Sequence, residues 1–291
     1  MAQQVVGVIG LGLMGSALSE RLIAAGYSVV GYDIDGSRCE ALEKIGGRAV
    51  SGAAEVASLC HRVILSLPTT DVVENVLRQM DAELRSGQII LDTTTGDPER
   101  TAALGAPLAE RGVGYLDATL SGSSVQARSG EIIVMAGGRR DAFDACEDIF
   151  RCFARRWFHV GDWGSGSRMK LVSNLVLGLN RAALAEALVF AKAIGLDAAT
   201  TLAILTESAA YSRVMDTKGQ KMIGGDFTPQ AKLSQHLKDV RLILAAAASA
   251  GIDLPLSVEH RKLLEAAESA GYGDADNSAI IRAFKSPPEK R

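Results

Sequence analysis

The feature that most constrains this chain lies in its first 33 residues. A short apolar run, Val5–Ile9, stops at Gly10-Leu11-Gly12-Leu13-Met14-Gly15. Residues 16–25 then carry helical spacing up to Gly26, and Ser28–Tyr32 reads as a second strand closed by Asp33. Two strands joined by one helix over so short a span run parallel, because a parallel pair needs a crossover to bring the chain back. A chain that opens this way is committed to a parallel sheet with helices on its faces.

The glycines also define a binding chemistry. Gly10 permits the tight turn, Gly12 lets the backbone approach a pyrophosphate, and Gly15 lets helix and strand pack closely. The helix N-terminus adds unpaired N–H groups and the positive end of its dipole, so Gly10, Leu11, Gly12, Leu13, Met14 and Gly15 form a candidate dinucleotide site. Asp33 follows at the spacing expected for a carboxylate that accepts the ribose hydroxyls and repels a 2′-phosphate. NAD is therefore the expected cofactor, with NADP the less favoured alternative, for which Arg38 is a possible phosphate partner.

Strand and helix patterns keep alternating: helix 39–44, strand 49–50, helix Ala53–Leu59, strand 63–67, helix 72–80, strand 88–91, then strands 114–116 and 131–136 and helix 142–150. The expectation is a Rossmann-type, doubly wound parallel sheet over residues 1–162. From 166 to 270 apolar residues recur at threes and fours, as in 171–195, Ala198–Glu207, 233–250 and 256–270. Gly195 and Gly251 suit helix ends and Pro255 a helix start. An all-helical domain is expected over 163–285, followed by a flexible tail at 286–291.

Composition excludes more than it identifies. With 31 Lys+Arg against 34 Asp+Glu the net charge is −3, which argues against a nucleic-acid binder held by a basic surface. Cys39, Cys60, Cys146 and Cys152 form no CxxC pair, and the four histidines form no HxxxH pattern, so no metal site is expected. The apolar stretch 171–194 is interrupted by Asn174, Asn180, Arg181, Glu186 and Lys192, which favours a core helix over a membrane span. Without a signal-peptide pattern, a cytoplasmic location is expected.

Several separate segments resemble the β-hydroxyacid dehydrogenase family, which includes 3-hydroxyisobutyrate dehydrogenase and tartronate semialdehyde reductase. Gly10 to Gly15 resembles its opening GLGxMG, and residues 63–68 (VILSLP) its strand ending in Leu-Pro. Residues 92–98 (DTTTGDP) resemble D-x-S-T-x-x-P, and 117–123 (DATLSGS) resemble DAPVSGG. Residues 161–174 (GDWGSGSRMKLVSN) resemble G-x-x-G-x-G-x-x-x-K-x-x-N-N, and Leu237-Lys238-Asp239 a late L-K-D.

The resemblance implies an NAD-dependent oxidoreductase interconverting a small 3-hydroxyacid and its semialdehyde, with a homodimer or homotetramer built through the helical domain. Leu67, Pro68 and Thr95 would lie along the cofactor, and Lys238 would reach towards it. Lys170 would be the catalytic residue, taking the alcohol proton as hydride leaves and returning it in reduction. Asn174, four residues on, shares its helix face and would orient the amine and the substrate. Ser121, Gly122 and Ser123 follow an apolar strand and would hold a small anionic substrate. The alternatives are an NADPH-dependent semialdehyde or imine reductase, and a non-catalytic cofactor-binding sensor. Lys170 speaks against the imine reductase. Where the family has Pro-Val, Gly and Gly, this chain has Thr119-Leu120, Ser123 and Gln126, and Ser173 replaces the first asparagine of the catalytic signature. These added hydroxyl and amide groups predict a more polar substrate than 3-hydroxyisobutyrate.

Overall fold

The computed structural model describes residues 4–284, so the tail expected at 286–291 lies outside the described residues. The chain divides into two compact units between Lys170 and Leu171. The division falls beyond residue 162 because the start of the long helix Ser165–Ala193 is bonded to the sheet, as described below.

The first unit is built on eight strands: β1 (Val5–Ile9), β2 (Ser28–Tyr32), β3 (Arg48–Ala49), β4 (Arg62–Leu65), β5 (Ile89–Asp92), β6 (Gly114–Ser121), β7 (Ile132–Gly138) and β8 (Ala154–Gly161). Their order across the sheet is β3-β2-β1-β4-β5-β6-β7-β8. All neighbours run parallel except β6 and β7, which are antiparallel. The helices between them are α1 (Leu13–Ala24), α2 (Gly36–Lys44), α3 (Ala53–Leu59), α4 (Thr70–Met80), α5 (Pro98–Glu110), α6 (Ser124–Arg128), α7 (Arg140–Asp144) and α8 (Glu147–Phe153).

Successive strand residues feed opposite faces. Ile64 packs into one apolar cluster with Val6, Val8 and Leu91, while its neighbours Val63 and Leu65 join Ile9, Val30 and Ile90 in another. Burial on both faces is why these strands read as continuous apolar runs. The expected helix 142–150 is two short helices, α7 and α8, and the strand expected at 114–116 continues to Ser121.

The second unit holds α9 (Ser165–Ala193) from Leu171 onward, α10 (Ala198–Glu207), α11 (Arg213–Gly224), α12 (Leu233–Ser249) and α13 (Pro255–Ala267). Gly195 and Gly251 have φ of +86° and +71°, the left-handed geometry that ends helices, and Pro255 opens α13. One core gathers Leu184, Leu188, Leu202, Met215, Leu237 and Leu264. By length and composition α9 is long and apolar enough to cross a membrane, and 39% of its apolar window is buried.

Candidate active site

In the first unit the carboxyl ends of β1, β2, β4, β5 and β6 lie along one edge of the sheet. Strand order reverses between β1 and β4, the switch point where open α/β sheets take ligands. Residues 10–15 leave β1 here, Asp33 leaves β2, residues 66–68 leave β4, 93–95 leave β5, and 121–123 end β6.

Gly10 turns at φ +91°, and a Cβ on Gly15 would run into the Gly10 carbonyl oxygen, so α1 starts pressed against the turn. A Cβ on Gly12 would meet only the Arg38 Nη1, at 3.5 Å, which leaves this backbone accessible. The α1 N-cap is Gly12 without a side-chain cap, and the first turn holds no acid. Its N–H groups and dipole are left for an anion. Asp33 is buried; its Oδ2 accepts from Leu11 N at 2.7 Å and its Oδ1 from Asp35 N at 2.9 Å. Arg38 Nη1 stands 3.3 Å from Oδ2. Leu67 N donates to Thr94 Oγ1 at 3.3 Å, tying the β4 and β5 ends together beside Gly10, with Pro68 and Thr95 in the same two loops. The cradle fits a dinucleotide.

At the end of β6, Lys170 is buried and its Nζ donates to Leu120 O at 2.6 Å. Leu120 directly precedes Ser121, so the amine stands at the root of the loop Ser121-Gly122-Ser123. Gly122 has φ +143°, and a Cβ there would press on Ile132. Ser123 caps α6 in a reciprocal box: its N donates to Gln126 Oε1 at 2.9 Å and its Oγ accepts from Gln126 N at 3.3 Å.

Two of the replacements behind the polarity argument have structural duties. Gln126 is committed to the α6 cap, and the buried Thr119 hydroxyl lies 2.9 Å from Gly166 O and 3.1 Å from Met135 O. Both replacements build backbone structure, so neither is evidence for a more polar substrate.

The remaining candidates belong to the second unit. Asn174 Nδ2 donates to Asp239 Oδ2 at 2.8 Å, with both residues buried. Lys238 Nζ lies 3.3 Å from Asp239 Oδ1. The L-K-D segment on α12 therefore contributes Asp239 as the holder of Asn174, a role invisible to spacing because 65 residues separate the pair. With Nδ2 engaged, Asn174 has its carbonyl Oδ1 to offer as an acceptor.

Sequence reasoning also missed Asp117, buried on β6, whose Oδ1 accepts from Gly164 N at 3.1 Å and Oδ2 from Ser167 N at 2.8 Å. Burial raises its pKa, against the pull of those N–H bonds. Across the register on β5, burial pushes Asp92 up to about 6, and Tyr115 Oη donates to its Oδ2 at 2.8 Å. Among the described residues no group of His, Cys, Asp and Glu is arranged to hold a metal ion.

Two family models match the chain. The one described as the NAD binding domain of 6-phosphogluconate dehydrogenase covers residues 5–161, and the one described as NAD-binding of NADP-dependent 3-hydroxyisobutyrate dehydrogenase covers 164–284. The 2-(hydroxymethyl)glutarate dehydrogenase of Eubacterium barkeri is 31% identical over 96% of this chain and 94% of its own. The L-threonate dehydrogenase of Cupriavidus necator is 31% identical over 96% and 95%. A crystal structure of 3-hydroxyisobutyrate dehydrogenase from Salmonella typhimurium superposes with a TM-score of 0.89 at 28% identity, covering 97% of this chain and 100% of that one.

Proposed function

This chain belongs to the β-hydroxyacid dehydrogenase family of nicotinamide-dependent oxidoreductases, and from that premise we propose that it interconverts a small 3-hydroxyacid and its semialdehyde with NAD, Lys170 serving as general acid and base. The observation that carries the reading is the Lys170 Nζ held 2.6 Å from Leu120 O at the root of the β6 loop.

The nicotinamide, when bound, accepts or supplies the hydride. The chain's own residues manage the proton and the anion. In oxidation the neutral Lys170 amine takes the hydroxyl proton of the substrate; in reduction the ammonium polarises the carbonyl and returns it. Ser121, Gly122 and Ser123 offer hydroxyl and backbone donors for the substrate carboxylate, although the Ser123 N–H is already committed to Gln126. Asn174, held by Asp239, orients the lysine through its carbonyl oxygen. Asp33, fixed by Leu11 and Asp35, takes the ribose hydroxyls and favours NAD. Lys238 stands beside Asp239 on α12, 3.3 Å from its Oδ1.

The same reading includes a homodimer or homotetramer. Its support is the apolar side chains that α9 leaves exposed at helical spacing, Val172, Val176, Phe190 and Ile194. A cytoplasmic location goes with it, supported by the scattered spacing of the four cysteines.

The deciding experiment is a panel of small 3-hydroxyacids with NAD and with NADP, followed by the absorbance of the reduced nicotinamide. NAD-linked turnover of at least one acid, abolished in Lys170→Ala with cofactor binding intact, is the expected result. Unchanged turnover in Lys170→Ala would sink the mechanism.

A further inference from the structure

A lysine amine rides on a flexible four-carbon stem, so its working position depends on where its helix begins. The start of α9 is fixed from a distance. A helix N-terminus leaves its first N–H groups without intrahelical partners, and a nearby side chain normally caps them. Here the acceptors come from β6: Asp117 takes Gly164 N on one oxygen and Ser167 N on the other, across 47 and 50 residues of chain. Two residues along the strand, on the same side, the Thr119 hydroxyl reaches Gly166 O.

The backbones meet without a side-chain layer between them. A Cβ on Gly166 would collide with the carbonyl oxygens of Asp117 and Met135, and one on Gly137 would crowd the Gly166 N and the Asp117 carboxylate. The strand beneath is held on both sides, by β5 and by β7. Lys170 follows Ser167 by three residues and returns to the same strand at Leu120 O.

A second buried acid makes this arrangement more telling. Asp92 stands opposite Asp117 on β5, and two carboxylates close together in an apolar interior oppose each other's ionisation. Asp92 is held by Thr94 N and Tyr115 Oη, and Asp117 by the start of α9.

We propose that Asp117 is a positioning residue: by capping the first turn of α9 from β6, it sets where the Lys170 amine stands relative to the Ser121–Ser123 loop. The inference rests on Lys170 being the proton-transfer group.

The test compares Asp117→Asn, Thr119→Val and Lys170→Ala with the wild type, using the panel acid of highest kcat/KM in its protonated and C3-deuterated forms. NADH fluorescence titration counts the binding sites in each preparation. In Asp117→Asn one acceptor becomes an NH2 facing an N–H. Displacements of about 1 Å at a reacting group lower rates by about 100-fold. The expected result is a kcat per NADH site lowered about 100-fold, with KM and the NADH dissociation constant changed by less than about 3-fold. The deuterium effect on kcat should rise as the chemical step becomes limiting. Thr119→Val, which keeps the side-chain shape, should lower kcat about tenfold with the same isotope signature.

A merely structural Asp117 would lose NADH sites and activity in step, with an unaltered isotope effect, and that outcome overturns the proposal. So does retention of kcat within about 3-fold in both β6 variants while Lys170→Ala is inactive. Full activity in Lys170→Ala would instead remove the assignment on which the proposal stands.

Discussion

Replacing Asp33 by Asn tests the cofactor assignment where its electrostatics are simplest. Asp33 is 9% exposed and its two oxygens are held at 2.7 Å by Leu11 N and 2.9 Å by Asp35 N, so the carboxylate has no freedom to turn from an approaching charge. A 2′-phosphate carries roughly two negative charges. At about 5 Å and an effective dielectric of about 40, each charge pair is worth about 1.7 kcal/mol, or about 3 kcal/mol for the phosphate. Arg38, 3.3 Å from the carboxylate and half exposed, offsets part of this, leaving about 2 kcal/mol, or about 30-fold, in favour of NAD.

In Asp33→Asn the amide oxygen can still accept from Leu11 N while the bond from Asp35 N is lost, a cost common to both cofactors, but the repulsion vanishes and Arg38 is released. The NAD:NADP ratio of kcat/KM should fall from about 30 to within about 3 of unity. Much of the fall should come from improved use of NADP. Raising ionic strength should shrink the wild-type ratio and leave that of the variant nearly unchanged. A wild type that uses NADP as well as NAD, or a variant with an unchanged ratio, would refute the reasoning.

Three further outcomes are expected. Gly15→Ala forces a Cβ into the Gly10 carbonyl, so NADH affinity measured by fluorescence should fall at least about tenfold, with a stability loss of about 1–3 kcal/mol in urea. Burial, with the nearby Arg181 guanidinium, lowers the His260 pKa to about 4. Between pH 6.5 and 4 the unfolded chain therefore takes up the proton first, and about 3 kcal/mol of stability drains away as pH falls. In His260→Phe that share of the pH slope should disappear, and parallel urea-derived stability curves for variant and wild type would contradict it. Asp276 accepts from the buried Lys218 at 2.9 Å on both oxygens, so Asp276→Asn should destabilise by about 3–5 kcal/mol. Adding Lys218→Met should recover part of the loss, and a double variant no more stable than the single one would exclude the pairing as its cause.

What could be read from the residues follows the range of the interactions involved. The glycine turn, the following helix and Asp33 are local, and Ala53–Leu59 and Ala198–Glu207 have the bounds their patterns predict. β8 was not legible: it is an edge strand, and Arg155, Arg156 and Phe158 face solvent, so its pattern matches neither a buried run nor a clean alternation. The reversal at β7 was equally hidden. Only the five-residue α6 and its flanking turns join β6 to β7, too little for a parallel crossover, but spacing alone does not reveal that the strands pair. α11 places Lys218 in its buried face, against the usual exposure of lysine. At the site, Asp117, Asp239 and Thr119 act through partners tens of residues away, and periodicity identifies a face without naming what covers it.

The two segments DATLSGS and GDWGSGSRMK are therefore two sides of one contact. Alternation along β6 turns Asp117 and Thr119 to the start of α9, while the carbonyl of Leu120 receives the amine and Ser121 begins the loop. Gly164 and Gly166 answer from the helix side: the first at φ +83° turns the chain into α9, and the second lets backbone lie on backbone. This pairing also accounts for a lysine so near a helix start, where the dipole opposes a positive charge. In its ionised form the Asp117 carboxylate would sit on that end and offset the dipole, favouring the cationic lysine that the proposed mechanism needs in reduction. An apolar residue at position 117 would leave the first turn uncapped and the dipole uncompensated at once. Geometry and charge at Lys170 thus depend on the same buried carboxylate, which ties the motif on β6 to the motif on α9 more tightly than their separation in sequence implies.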